Sequence, residues 1–241
     1  MSSAREWAPL GITLVDDIGN WLRGAGLRAG FIPLAWDHDR RPGLVWRIPD
    51  RDISGASAFS HVQGILVREY EQAIVLHNGV FHAHLPCGVY DVRKVPVKDL
   101  VEVIWVSTQV TQHKWGVGRV INRENLTVGA HGHVFLEVAD ARRFVLSVVA
   151  GGRKYTEQDL EDWVFSIVSA TMRTQIAAST IHDLMQGQEE FAQACKLRLA
   201  EAFGEWGITL KNLVINQFDV PQEYRDAVAR VTLARYQRDT A

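Results

Sequence analysis

Residues 188–231 read QEEFAQACKLRLAEAFGEWGITLKNLVINQFDVPQEYRDAVARV. Phe191, Cys195, Leu199, Ala202 and Trp206 recur there at spacings of four, four, three and four, which lines one face of a helix with apolar side chains. Gly204 and Gly207 supply the permissive backbone that ends such a helix. Ile208 to Phe218 is rich in β-branched and apolar residues and predicts a strand. Pro221 stands where the first turn of a further helix tolerates a missing N–H. A strand after Gly207 has to pair its N–H and C=O groups, and its expected partner is the sheet begun by Ile65 to Leu76. The unit holds no catalytic equipment and has the form of a docking element.

Bulk composition fits this modest reading. At 241 residues the chain is long enough for one large or two small domains. Its 47% hydrophobic and 22% charged residues are those of an ordinary globular protein. A formal net charge of −2, with no clustering of basic and aromatic residues, argues against a nucleic-acid partner. Cys87 and Cys195 lie far apart, with no CxxC, so a reducing cytosol is expected. No basic stretch precedes an apolar core at the N-terminus, and no run of 18 apolar residues occurs, so neither a secretory signal nor a membrane span is expected.

Upstream, three textures succeed one another. Residues 1–60 hold Trp7, Trp21, Trp36 and Trp46, half of the eight tryptophans. Leu14, Val15, Ile18, Trp21 and Leu22 fall at helical spacing, with Asp16, Asp17, Asn20 and Arg23 opposite, which predicts an amphipathic helix weakened by Gly11 and Gly19. Such a helix either lies on a membrane surface or packs on its own domain or a partner. The two aspartates favour packing, since interfacial helices carry Lys and Arg on their polar face.

The next region, residues 61–138, is β-dominated. Gln63 to Glu69, Gln72 to Leu76, Gly88 to Tyr90, Val101 to Val110 and Leu126 to Val138 read as strands, and Asn78-Gly79 marks a tight hairpin. Val128, Val134, Leu136 and Val138 share one parity, and His131 and His133 the other. From Asp140 the chain turns helical. Asp140 is placed to cap a short helix carrying Phe144, Val145 and Val148. Thr156-Glu157-Gln158-Asp159 starts a longer helix with the stripe Leu160, Trp163, Val164, Ile167 and Thr171. Thr180 caps another short helix, which Gly187 separates from the one quoted first. Strands, then helices, then a returning strand give the class α+β.

Candidates for chemistry are few. His82 with His84, and His131 with His133, are pairs two residues apart that project from one strand face, with Cys87 near the first. On neighbouring strands these four imidazoles could hold zinc or copper. The alternative is that they are polar-face residues of amphipathic strands, since no acid stands at a fixed spacing to orient them. Gly116 and Gly118 form a bare GxG without the third glycine of a dinucleotide site. Gly151-Gly152-Arg153-Lys154 reads as a loop between helices, although its place before a helix would also suit a phosphate. No GxSxG and no HExxH occur. No catalytic residue and no cofactor is expected.

Several segments together carry a family resemblance. They are Phe31 to Trp36, Gly43 to Pro49, Ile65 to Val75, Asn78-Gly79, Pro86 to Tyr90, His113 to Gly116, Ile181 to Gly187, the helix to Trp206, Gly207 to Leu210 and Val220 to Glu223. In that order the chain resembles the SPFH (band 7/prohibitin-like) superfamily, and more narrowly its soluble bacterial branch known as virion core protein-like. The resemblance implies a curved antiparallel sheet packed by helices, and a non-enzymatic scaffold. It also implies self-association into a homo-oligomer and recruitment of partner proteins, in the bacterial cytoplasm or peripherally at the inner membrane, in an envelope-stress setting. The expected division is a lead-in over residues 1–54, the SPFH-like domain over 55–220 and a C-terminal helix over 221–241.

Leu14, Ile18, Trp21 and Leu22 on the first helix, with Tyr224, Val228 and Val231 on the last, are the expected interaction residues. The chain departs from the pattern in its short last helix and in having no Cys or His after Cys195, where soluble relatives carry a zinc ribbon. Both departures favour a small assembly. Two other functions stay open at this level: a metal-binding or hydrolytic enzyme built on the histidine pairs, and a structural subunit of a larger particle or defence complex.

Overall fold

The computed structural model describes residues 6–7, 12–15, 33–41, 43–48, 62–95, 100–149, 157–227 and 229–230. They fall into two compact units, one of residues 1–109 with 138–159 and one of residues 110–137 with 160–241.

The first unit is built from short strands that form because β-branched and apolar residues alternate around turns. β1 (Glu6–Trp7), β2 (Ile12–Leu14), β3 (Leu34–Ala35), β5 (Gly64–Val67) and β8 (Gly88–Asp91) make a five-stranded sheet in the order β1-β2-β8-β5-β3. β4 (Val45–Ile48), β6 (Glu71–His77), β7 (Val80–Leu85) and β9 (Val101–Ser107) make a four-stranded sheet in the order β4-β9-β6-β7. All pairings are antiparallel except β3 with β5. Both sheets feed one core, in which Ile12, Trp36, Ile65, Val75, Tyr90 and Trp105 are buried together. Trp46 and Trp105 stack there with ring centroids 4.8 Å apart.

The β6–β7 hairpin turns at Asn78-Gly79, both with positive φ (52° and 77°), the backbone that a two-residue hairpin demands. Within it the register passes from Val75 opposite Ala83 to Leu76 opposite Phe81, so His82 is an extra residue that bulges β7. α1 (Ala141–Phe144) is capped by Asp140, whose carboxylate accepts the Arg143 N–H at 2.9 Å, and Val145–Val149 continues it as a π-helical turn.

The second unit sets three strands with helices. β10 (Thr111–Ile121), β11 (Thr127–Val138) and β12 (Ile208–Asp219) form a sheet in that order. α2 (Glu157–Ala178) buries Leu160, Val164, Val168, Met172 and Ile176, a stripe of period four. α3 (Ile181–Met185) carries a full capping box between Thr180 and Asp183. α4 (Gln188–Gly204) buries Phe191, Cys195, Leu199 and Phe203. Trp163 meets Phe203 and Trp206 edge-on, each at 5.9 Å, and Phe191 meets Phe218 of β12 at 5.4 Å. The turn between β10 and β11 grips the helices: Glu124 Oε2 accepts the Ile181 N–H at 2.7 Å, and Arg123 N–H donates to Ser179 O at 3.2 Å.

Three expectations change. The last strand joins β11, not the sheet begun by Ile65 to Leu76, because β5 already lies between β8 and β3 and β6 between β9 and β7. Neither β5 nor β6 has a free edge to offer it. β10 is a long strand over a stretch for which no element was predicted, and the strands divide into three sheets, not one, within the α+β class. Leu14, expected on a helix, ends β2 opposite Tyr90 of β8, and Val15 N–H continues the ladder to Val89 O at 2.8 Å. Ile18, Trp21 and Leu22 lie outside the described residues.

Candidate functional site

The two histidine pairs stand on strands of different sheets, β7 and β11. Each imidazole finds its partners in its own sheet. His84 Nε2 lies 2.9 Å from Gln72 Oε1 on β6, and the His82 ring meets that of His77 edge-on at 6.2 Å. His131 Nδ1 is 3.7 Å from Asp219 Oδ2, and His133 Nδ1 is 3.5 Å from Asn216 Nδ2, both on β12. Among the described residues no group of three or more His, Cys, Asp or Glu is gathered closely enough to hold a metal ion. Burial pushes the His84 imidazole below its ordinary value; Asp140 opposes that shift and Arg142 adds to it. Burial also raises the Cys195 thiol to about 12, against the charge of Arg198, which leaves it without nucleophilic character near neutral pH.

The sequence reading passed over a buried carboxylate. Glu71 opens β6 with its side chain fully enclosed, 2.8 Å from His38 Nε2 and 3.0 Å from Arg68 Nη1. Arg68 N–H also donates to it at 3.0 Å, and Arg68 Nη1 donates to Trp36 O at 2.5 Å. The His38 ring stacks on Trp36 with centroids 4.0 Å apart, and Trp36 Nε1 closes the loop by donating to Arg41 O at 2.8 Å. A buried charge needs this many partners to repay its desolvation. The cluster therefore ties the turn at residues 36–41 to the start of β6. It is structural bracing, completely committed within itself.

A concavity lies in the second unit, where α2 ends, α3 turns and α4 begins. Its volume is about 550 Å³. Gln175 and Ser179 come from the end of α2, His182 and Asp183 from α3, Glu190 and Phe191 from the first turn of α4. Thr180 N–H donates to Asp183 Oδ2 at 2.9 Å while the Thr180 hydroxyl accepts the Asp183 N–H at 3.1 Å. Hydrogen bonding by the Thr180 N–H and then its side chain holds the Asp183 carboxyl below the usual carboxylate range, and the charges of His182 and Arg123 act the same way. Glu190 makes no ion pair with any described residue. A floor of phenylalanine under two carboxylates suits a basic, partly apolar segment of polypeptide better than a small anion. Exposed apolar side chains stand on the same helices: Met185, Leu197 and Phe165 are 49%, 63% and 47% exposed.

Of the expected interaction residues, Leu14 packs against the core of the first unit. Tyr224 is half-buried in the helical stretch 222–227, whose first turn is closed by Tyr224 N–H bonding Pro221 O at 3.2 Å. Val228 and Val231 lie outside the described residues, as do Ile18, Trp21 and Leu22.

Three sheets of almost wholly antiparallel strands, with helices set against the last of them, define a mixed α+β fold. The SPFH domain / Band 7 family profile matches residues 65–241, and the chain belongs to that family. It is similar to stomatin-like protein 3 of Mus musculus, 22% identical over 167 residues that cover 68% of this chain and 53% of that protein. The Homo sapiens stomatin-like protein 3 matches to the same extent. A stomatin homolog of Pyrococcus horikoshii is 24% identical over 174 residues, 72% of this chain and 60% of that protein. The chain thus spans about half the length of the first curated relatives it matches. No helix among the described residues is long and apolar enough to cross a membrane.

Proposed function

We propose that this chain is a non-enzymatic scaffold that self-associates and recruits other proteins, in the cytoplasm or peripherally at the inner membrane surface. The observation that carries the reading is the family match from β5 to the last helix, over a set of elements built to dock on one another. Apolar side chains left exposed on α2, α3 and α4 support it, because apolar surface of this kind marks contacts with other molecules. The N-terminal stretch around Ile18, Trp21 and Leu22 and the last helix around Tyr224, Val228 and Val231 are the proposed contact regions.

Size-exclusion chromatography with light scattering tests the reading. The parent chain is expected to run as an oligomer, and Ile18→Asp with Trp21→Asp is expected to reduce its mass. A monomer at micromolar concentration would overturn self-association by this route. Co-sedimentation with anionic and neutral vesicles separates the membrane-surface placement from the purely cytoplasmic one.

A further inference from the structure

Helix α4 changes sign along the side that it turns to the groove. Glu190, Ala194 and Arg198 follow one another at spacings of four, so they share one side of the helix, and all three are exposed. Neither Glu190 nor Arg198 has an ion-pair partner among the described residues. Within one chain they cannot serve each other, because eight residues of helix hold them about 12 Å apart. Phe191 and Leu197 stand three residues to either side of Ala194 on the same side. Phe191 is enclosed at the floor of the concavity, whereas Leu197 is largely exposed.

These positions are balanced about Ala194. A second α4 laid antiparallel on the first, with a two-fold axis at Ala194, brings Arg198 of each copy opposite Glu190 of the other. It also brings Leu197 of each copy over Phe191 in the other's groove. A two-fold contact uses one patch twice, so the patch has to complement itself. This one does so in charge, acid against base, and in shape, projecting leucine against concavity. The alanine at the axis lets the two helices approach to about 8 Å, the close end of helix packing. An unrelated basic peptide would answer Glu190 but would leave Leu197 and Arg198 uncovered.

We propose that two copies of this chain pair α4 against α4 in this antiparallel register, with Glu190–Arg198 ion pairs across the axis and Leu197 seated over Phe191. The pairing rests on the self-association proposed above and gives it a surface away from the chain's ends.

Disulfide trapping in the full chain, beside light scattering, tests it. In a Cys87→Ser background, which removes the exposed thiol, Ala194→Cys puts a thiol at the axis. Ala200→Cys is the control, also exposed but a third of a turn round the helix. Mild oxidation is expected to link the Ala194→Cys chains in pairs, at twice the chain mass, faster than the Ala200→Cys chains. Arg198→Glu added to Ala194→Cys is expected to slow trapping about tenfold, the scale of two exposed ion pairs. Adding Glu190→Arg as well is expected to restore the rate, since both pairs re-form with their signs exchanged. An oligomeric parent in which both thiol positions trap equally overturns this pairing and leaves self-association through the terminal regions standing. So does trapping that ignores Arg198→Glu, or that Glu190→Arg fails to restore. A monomeric parent overturns the pairing and the self-association together.

Discussion

Arg68 and Glu71 share an ion pair but not its risk. Glu71 is fully enclosed, whereas the Arg68 side chain is 34% exposed. Removing the exposed cation strands a buried carboxylate, and removing the carboxylate releases an arginine that can turn to water. Arg68→Met is therefore expected to destabilise the chain by about 3 kcal/mol, and Glu71→Gln by about 1–2 kcal/mol. Urea unfolding of both variants checks the order; a larger loss for Glu71→Gln would refute it. His84 gives a second prediction at this scale. Its imidazole is held below its ordinary value, first by burial, so the unfolded chain binds that proton more readily. The stability tied to the neutral ring is complete above the ordinary pKa and is lost as pH falls through it toward the folded value. His84→Gln, which can still bond Gln72, is expected to flatten the fall in Tm between about pH 8 and about pH 5. An unchanged slope would show that this proton does not matter.

At the scale of elements, legibility followed locality. The α4 stripe could be read because Phe191, Cys195 and Leu199 repeat every four residues and are all buried. The turn at Asn78-Gly79 carries its backbone requirement in its own two residues. β2 was misread because Leu14 and Val15 fit a helical pattern with Ile18, and only the pairing with β8, some 75 residues on, makes them a strand. β10 was hidden by Lys114, Gly116, Gly118 and Arg119. The last two fall at the register shift between Val117 and Val120, and Arg119 has φ 54°. The Glu71 cluster was invisible for the same reason as β2, since His38 lies 33 residues away. The groove needs three helices placed at once.

One glycine shows how closely these elements approach. A Cβ at Gly132 of β11 would overlap Val214 O of β12 and come within 2.9 Å of Trp115 Cζ2 on β10. Gly132→Ala is expected to cost about 3 kcal/mol, at the upper end for overpacking, because backbone and not a flexible tip stands in the way. Thermal unfolding showing a loss below about 0.5 kcal/mol, the range of a surface substitution, would mean that the strands are free to part.

For the whole molecule, the family match explains why the element order was readable when several pairings were not. Order is written along the chain, and pairing is settled by which edges stay open. Since β12 is the third strand of its sheet and the partner of α4, a chain ending at Trp206 would leave Phe191 without Phe218 and open the edge of β11 that β12 covers. Such a truncation is expected to abolish cooperative unfolding of the second unit. A melt superimposable on that of the full chain would count against it. Oligomer mass, measured as above, belongs to this scale too.

The bulge at His82 bears on how copies of this protein can be crowded together. The outer strands of the first unit are β1 and β3, two residues each, β4, four residues, and β7, which His82 pushes out of register. Among the described residues none of these offers an incoming chain a long, flat row of free N–H and C=O groups, the template on which runaway backbone pairing and fibres grow. The scaffold proposed above would have to meet its neighbours without fusing to them. In the first unit that leaves recognition to side chains, which can be specific and can let go.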